Sequence, residues 1–183
     1  MSLKISFRAL LCGLAAMAVA LLLLPQPEGI AAESHEPMML ASFFGLGSDA
    51  KVPAVDFELP SLSGSMVRLS KYKGERPVLI YFWATWCPYC VAMRPDFLKL
   101  REKIGPSEME IIGINVGGSD SLERLKRYQE GHPVSWPMLF DGDGKVMKAY
   151  KVQGIPLVVL VNKEGNVVFR DNGLPSDVRK YLR

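Results

Sequence analysis

Cys87 and Cys90 are the residues of this chain whose type and spacing are best suited to chemistry. They close the stretch Tyr81-Phe82-Trp83-Ala84-Thr85-Trp86-Cys87-Pro88-Tyr89-Cys90. A thiolate is the nucleophile of thiol–disulfide exchange, so a cysteine becomes reactive where its surroundings favour the anion. Such surroundings arise at the start of a helix, where unpaired amides and the positive end of the dipole face a negative charge. Pro88 suits the first helical position, because its missing N–H would have been unpaired there anyway. Cys87 then falls near the N-cap, and Cys90 lies within reach on the same turn to close a disulfide. In the exchange cycle this spacing permits, Cys87 attacks a partner disulfide and Cys90 resolves the mixed disulfide that forms. A staple is the other use of an exported cysteine pair. A bridge enclosing so little chain would stabilise little, since the benefit grows with loop length, and a redox pair is the better reading.

The elements that must position these cysteines are legible from period and punctuation. Val78–Trp83 has the length and the β-branched and aromatic content of a buried strand. After Cys90, Val91, Phe97, Leu98, Leu100 and Ile104 recur among Arg94, Lys99 and Arg101 as on a helix. Pro95 removes one backbone donor from that helix and is expected to bend it, and Gly105-Pro106 ends it. Ala54–Leu59 and Met66–Leu69, joined around Ser63-Gly64-Ser65, read as a β-hairpin. Glu110–Val116 reads as a second buried strand. A helix to about Glu130 follows, capped by Ser119 or Asp120, with Leu122, Leu125 and Tyr128 on its apolar face. This strand–helix alternation is the crossover unit of a parallel sheet. Met138–Phe140 is a short strand and Lys145–Tyr150 a short helix. Leu157–Val161 and Asn166–Arg170 form an antiparallel hairpin, and Pro175–Leu182 a closing helix with Ser176 near its start. Together they describe an α/β domain whose mixed central sheet is covered by helices on both faces.

At these residues the chain resembles the thioredoxin superfamily, and within it the extracytoplasmic TlpA/ResA-like branch. The resemblance rests on the run Phe82-Trp83-Ala84-Thr85-Trp86-Cys87, the C-x-x-C spacing and Pro95. It rests equally on Gly154-Ile155-Pro156 before an apolar strand and the turn Asn162-Lys163-Glu164-Gly165 after it. It extends over roughly Val52–Leu182 and implies a thioredoxin-like fold with an N-terminal β-hairpin extension. It further implies a cis Ile155–Pro156 bond opposite the cysteines, with the Ile155 backbone free to pair with an extended partner chain. Trp86, Pro88, Tyr89, Ile155 and Pro156 are accordingly the expected substrate-binding residues. Trp83 is expected in the core, and Trp86 as a shield for the cysteines.

Two departures from the family pattern stand out. The strand position that carries a buried acid in thioredoxins is Tyr81 here, and Gly118 stands near the position of a glutamate common in the ResA-like branch. Cys90 thus lacks an evident base, leaving water, Tyr81 or Tyr89 as candidates. Pro88-Tyr89 is also the dipeptide of glutaredoxins. No separate glutathione signal accompanies it, so it is read as tuning the redox potential.

Lys4 and Arg8 followed by the apolar run Ala9–Leu24 form a positive n-region and an h-region, as in a bacterial export signal. Residues 1–32 are either a signal peptide ending near Ile30-Ala31-Ala32 or an uncleaved anchor. The run is short against the about 20 residues of a membrane span. Both readings put the domain outside the cytoplasm. Cys12 is read as an apolar filler of that leader. Residues 33–51 read as a tether, and residues 52–183 as the domain.

The formal net charge is +3, with no basic tract, which leaves nucleic-acid binding without support. Asp141-Gly142-Asp143-Gly144 invites a calcium loop. That reading fails because Lys145 and Val152 stand where oxygen ligands are needed, and a tight turn is expected. With His35 and His132 the only histidines, a complete zinc site is not expected. The only redox group expected is the Cys87–Cys90 disulfide, with no other cofactor.

The expected function is therefore an extracytoplasmic protein-disulfide oxidoreductase with protein disulfides or dithiols as substrates. By analogy it is a reductase serving cytochrome c maturation and fed by a membrane thiol donor. Alternatives are a periplasmic disulfide oxidant, or a non-catalytic metal- or client-binding module. The copper-delivery relatives that would support the module carry C-x-x-x-C and a distant histidine, unlike this chain.

Overall fold

The apolar run Val78–Trp83 becomes a strand buried at every position, as its lack of polar alternation requires for a strand covered on both faces. The computed structural model describes residues 52–182. The leader, the tether, Cys12 and His35 lie outside the described residues.

Eight strands occur among the described residues: β1 (Val52–Pro53), β2 (Glu58–Pro60), β3 (Met66–Arg68), β4 (Val78–Trp83), β5 (Glu110–Asn115), β6 (Met138–Phe140), β7 (Leu157–Val161) and β8 (Asn166–Asp171). Helices α1 (Pro88–Lys103), α2 (Leu122–Gly131) and α3 (Lys145–Ala149) lie between them. Six strands make the central sheet in the order β1-β8-β7-β4-β5-β6. β4, β5 and β6 run parallel, while β7 pairs antiparallel with β4 and β8 antiparallel with β7. The sheet is mixed, as the pattern of elements predicts, and its three central strands β4, β5 and β7 are buried throughout.

β2 and β3 form a separate antiparallel pair with Leu59 opposite Val67. A single bridge from Ser61 to Leu139 ties this hairpin to the β6 edge of the main sheet. β1, which the sequence pattern did not announce, adds Val52 opposite Val167 at the other edge.

Two local readings need correction. Ser121, rather than Ser119 or Asp120, caps α2 by accepting from the Arg124 amide at 3.2 Å. The closing element is a single 3-10 turn, Val178–Tyr181, with Asp177 rather than Ser176 at its start. α1 runs through Pro95 to Lys103, just ahead of Gly105-Pro106 as expected; Pro95 costs it one hydrogen bond while the buried Phe97 and Cys90 hold it to the sheet.

Candidate active site

Cys87 and Cys90 sit where β4 gives way to α1. Cys87 is the N-cap residue, with extended backbone angles, and Pro88 is the first helical residue. The Cys90 amide donates to Cys87 Sγ at 3.2 Å, so one of the unpaired amides of the helix start is spent on sulfur. The two sulfurs are bonded, with Cα atoms 5.2 Å apart. Both cysteines are almost fully covered, at 3 % and 1 % exposure.

Ile155 and Pro156 face this pair across the site. Cys87 Sγ lies 3.8 Å from the Ile155 carbonyl oxygen. The Ile155–Pro156 bond is cis, and β7 begins only at Leu157, so Ile155 precedes the sheet pairing. Asn172, which drew no attention in the sequence, holds this corner by donating from Nδ2 to the Pro156 carbonyl at 2.7 Å. Its contact spans two loops that only the folded β7–β8 hairpin brings together.

The remaining expected site residues are spread over the surface near the cysteines. Trp86 is 51 % exposed and Tyr89 75 %, and Pro88 between the cysteines is exposed as well. Trp86 thus presents half its surface to solvent. Trp83 is in the core, stacked with Tyr81 at 6.3 Å and tilted against Tyr128 at 5.3 Å.

Tyr81 does not act as the missing base. Its hydroxyl donates to the Cys90 carbonyl at 2.8 Å, and burial pushes its phenol well above the ordinary tyrosine range. It is a neutral donor that fastens the first turn of α1 to β4.

A buried acid is nevertheless present, at a place that spacing alone did not reveal. Asp120 accepts from the Thr85 amide at 2.8 Å, from the Thr85 hydroxyl, and from Asn115 Nδ2 at 2.6 Å. Its side chain is fully shielded, with the exposed Arg124 guanidinium 4.0 Å away. Asp120 thereby locks the loop that leads from β4 to Cys87 onto the end of β5. Asn115 completes the bracket by accepting from the Gly117 amide at 3.0 Å. The Asp141 carboxylate, by contrast, is taken up by the Val146 and Met147 amides at 3.2 and 2.7 Å. It serves as the anchor of α3, in keeping with a turn rather than a calcium loop.

A cysteine pair at the mouth of a parallel βα unit, opposite a cis-proline corner on a mixed sheet, defines a thioredoxin-like protein of the thiol–disulfide oxidoreductase class. The chain matches the AhpC/TSA family over residues 50–170 and belongs to that family. It is 33 % identical over 122 residues to the thiol–disulfide oxidoreductase ResA of Bacillus subtilis, covering 67 % of this chain and 64 % of that one. To the ResA of Geobacillus kaustophilus it is 32 % identical over 131 residues, covering 70 % of this chain and 74 % of the relative. Among solved structures, the pneumococcal exposed lipoprotein thioredoxin (Etrx1) of Streptococcus pneumoniae superposes with a TM-score of 0.61 at 30 % identity, over 70 % of this chain and 98 % of that one. A putative thiol:disulfide interchange protein DsbE from Chlorobium tepidum gives 0.62 at 26 % identity, over 69 % and 86 %.

Proposed function

We propose that this chain is an extracytoplasmic reductase of protein disulfides that works through the Cys87–Cys90 pair and serves cytochrome c maturation. One observation carries the exchange chemistry. Cys87 Sγ stands at a helix N-terminus, bonded by the Cys90 amide, and 3.8 Å from the backbone of Ile155. The helix start favours the Cys87 thiolate. The Ile155 backbone, outside the strand pairing of β7, offers an extended client a partner for its own main chain. Trp86, Pro88 and Tyr89 supply the exposed surface on which that client settles, and Pro156 sets the opposite wall.

In the reductive direction the Cys87 thiolate attacks one sulfur of the client disulfide and expels the other as a thiolate. Cys90 then attacks Cys87 Sγ and releases the reduced client. The client gains two electrons and the protein leaves as the disulfide, to be re-reduced by a membrane thiol donor. The names of the ResA and DsbE relatives support the exchange chemistry. The leader read in residues 1–32, as a signal peptide or an uncleaved anchor, and the word exposed in the name of the pneumococcal relative support a place outside the cytoplasm.

Trapping tests the proposal. Cys90→Ser is expected to accumulate a mixed disulfide between Cys87 and its client, recoverable from the cell envelope and released by dithiol. Cys87→Ser is expected to trap nothing. Equal recovery of adducts from the two variants would count against it. The potential of the pair against glutathione fixes the direction: a reductase lies well below the about −120 mV of a strong oxidant.

A further inference from the structure

Pro156 lies beyond the strand pairing on both sides of β7. The last partners there are Leu157 with Phe82 of β4 and Val158 with Asp171 of β8. A proline has no N–H, so its carbonyl is the one main-chain group by which Pro156 can be held. Pro156 is buried, and a covered carbonyl without a donor is costly. The donor is a side chain. Asn172 Nδ2 reaches the Pro156 carbonyl oxygen at 2.7 Å, from the position directly after β8 ends at Asp171.

Chemistry and place single out the Asn172 amide. A carbonyl oxygen only accepts, so the contact requires a donor, and an ionised carboxylate of the same shape could not make it. The Asn172 main chain is itself set, because its N–H donates to the Asp171 carboxylate at 2.6 Å. Asn172 is exposed, so the core makes no demand on its type, and the hydrogen bond to Pro156 is what the amide contributes.

That contact governs the group facing the cysteines. The Ile155 carbonyl oxygen, 3.8 Å from Cys87 Sγ, belongs to the peptide plane next to the one that Asn172 holds. Two soft dihedrals at Pro156 relate these planes. The proline ring fixes φ, and a donor on the Pro156 carbonyl fixes ψ. With both set, the direction of the Ile155 main chain relative to β7 follows. Direction matters for pairing with a client, because hydrogen bonds weaken steeply as they leave alignment.

We infer that Asn172 is a client-positioning residue: by holding the Pro156 carbonyl, its amide fixes the direction in which the Ile155 main chain is offered to an extended client. The inference rests on the exchange reading above. It adds to that reading a residue outside the cysteine loop that sets how tightly a client is held, acting through Pro156 and not on the sulfur. Recognition of this kind reads the client's main chain and is tolerant of its side chains. A protein with accessible disulfides, such as insulin, therefore serves as the probe.

Two substrates separate client placement from thiol reactivity. Insulin reduction is followed in steady state with dithiothreitol as the electron source. Dithiobis-nitrobenzoate, too small to pair with the Ile155 main chain, releases a coloured thiolate that reports the reduced Cys87. Asn172→Asp keeps the shape of the side chain and loses the donor, and Asn172→Ala removes both. In each variant KM for insulin is expected to rise on the order of 10-fold, as for one lost hydrogen bond. The kcat should change less, so that the insulin rate falls relative to the reagent rate. A KM unchanged in Asn172→Ala would overturn the inference, as would insulin and reagent rates that fall in proportion. So would an unaltered protein that reacts with the reagent and not with insulin, because main-chain docking would then not hold a client. An unaltered protein inert to both would contradict the exchange reading itself, and this inference with it.

Discussion

In the proposed exchange Cys87 draws its reactivity from neighbours that touch it, and Asp120 works at one remove. The Asp120 carboxylate holds the Thr85 amide and hydroxyl and the Asn115 amide group, so it fixes the turn that aims Cys87 at the Ile155 corner. Asp120→Ala would leave buried donors unpaired on two chain segments. Each such donor costs about 1–3 kcal/mol, and a loss of about 3 kcal/mol in urea unfolding is expected. The exchange rate of Cys87 with a small dithiol should fall as well, because the loop loses its clamp. Unchanged stability and rate would show the bracket to be idle. The cysteines and Pro88 were legible because chemistry ties each to a residue type at a fixed spacing, and the Ile155–Pro156 corner through the family resemblance alone. Asp120 and Asn172 were not, since Thr85 and Pro156, which they hold, are distant in sequence and an Asp in a loop reads first as a helix cap.

Elements carry the site only because their ends are pinned. β5 hands over to α2 through Gly117, whose φ of +65° is left-handed. A Cβ there would stand 2.9 Å from the Asp141 carbonyl oxygen and 3.3 Å from Gly142 Cα. Neither backbone atom can swing aside. Gly117→Ala is therefore expected to lose about 1–3 kcal/mol of stability and to loosen the Asn115–Asp120 bracket, measurable as faster amide exchange at Val116 and Gly117. Gly118→Ala is a useful contrast, since a Cβ there meets nothing within 4 Å although φ is +67°. It should cost less. Strands β4, β5 and β7 were readable as continuous apolar runs because both their faces are covered. The last element was not: Pro175–Leu182 has the composition of a helix end, yet only the Val178–Tyr181 turn forms, with the half-buried Tyr181 ring tilted against Phe169 at 5.8 Å.

At the scale of the whole molecule, the sheet buries phenols as well as aliphatic side chains. Burial raises Tyr72, Tyr81, Tyr128 and Tyr150 above the ordinary value of 10.0. The folded protein therefore holds these protons more tightly than the unfolded chain does. Their contribution to stability is complete below about pH 10 and is lost as the pH rises above it. Thermal unfolding from pH 8 to pH 11 should show the midpoint falling at the alkaline end, with a shallower fall in Tyr81→Phe and Tyr150→Phe. A midpoint equally steep in those variants would place the alkaline loss elsewhere. The fold class follows from the alternation of elements, whereas the direction of electron flow is a property of the Cys87–Cys90 potential. The proposed exchange depends on a sulfur made anionic by the start of α1, and the pH dependence of Cys87 alkylation in the reduced protein tests that most directly. The account predicts a thiol titrating clearly below the about 8.5 of a free cysteine, together with rapid exchange of the bridge with a dithiol. A Cys87 that alkylates like a free thiol, in a protein whose bridge is inert to dithiols, would contradict it.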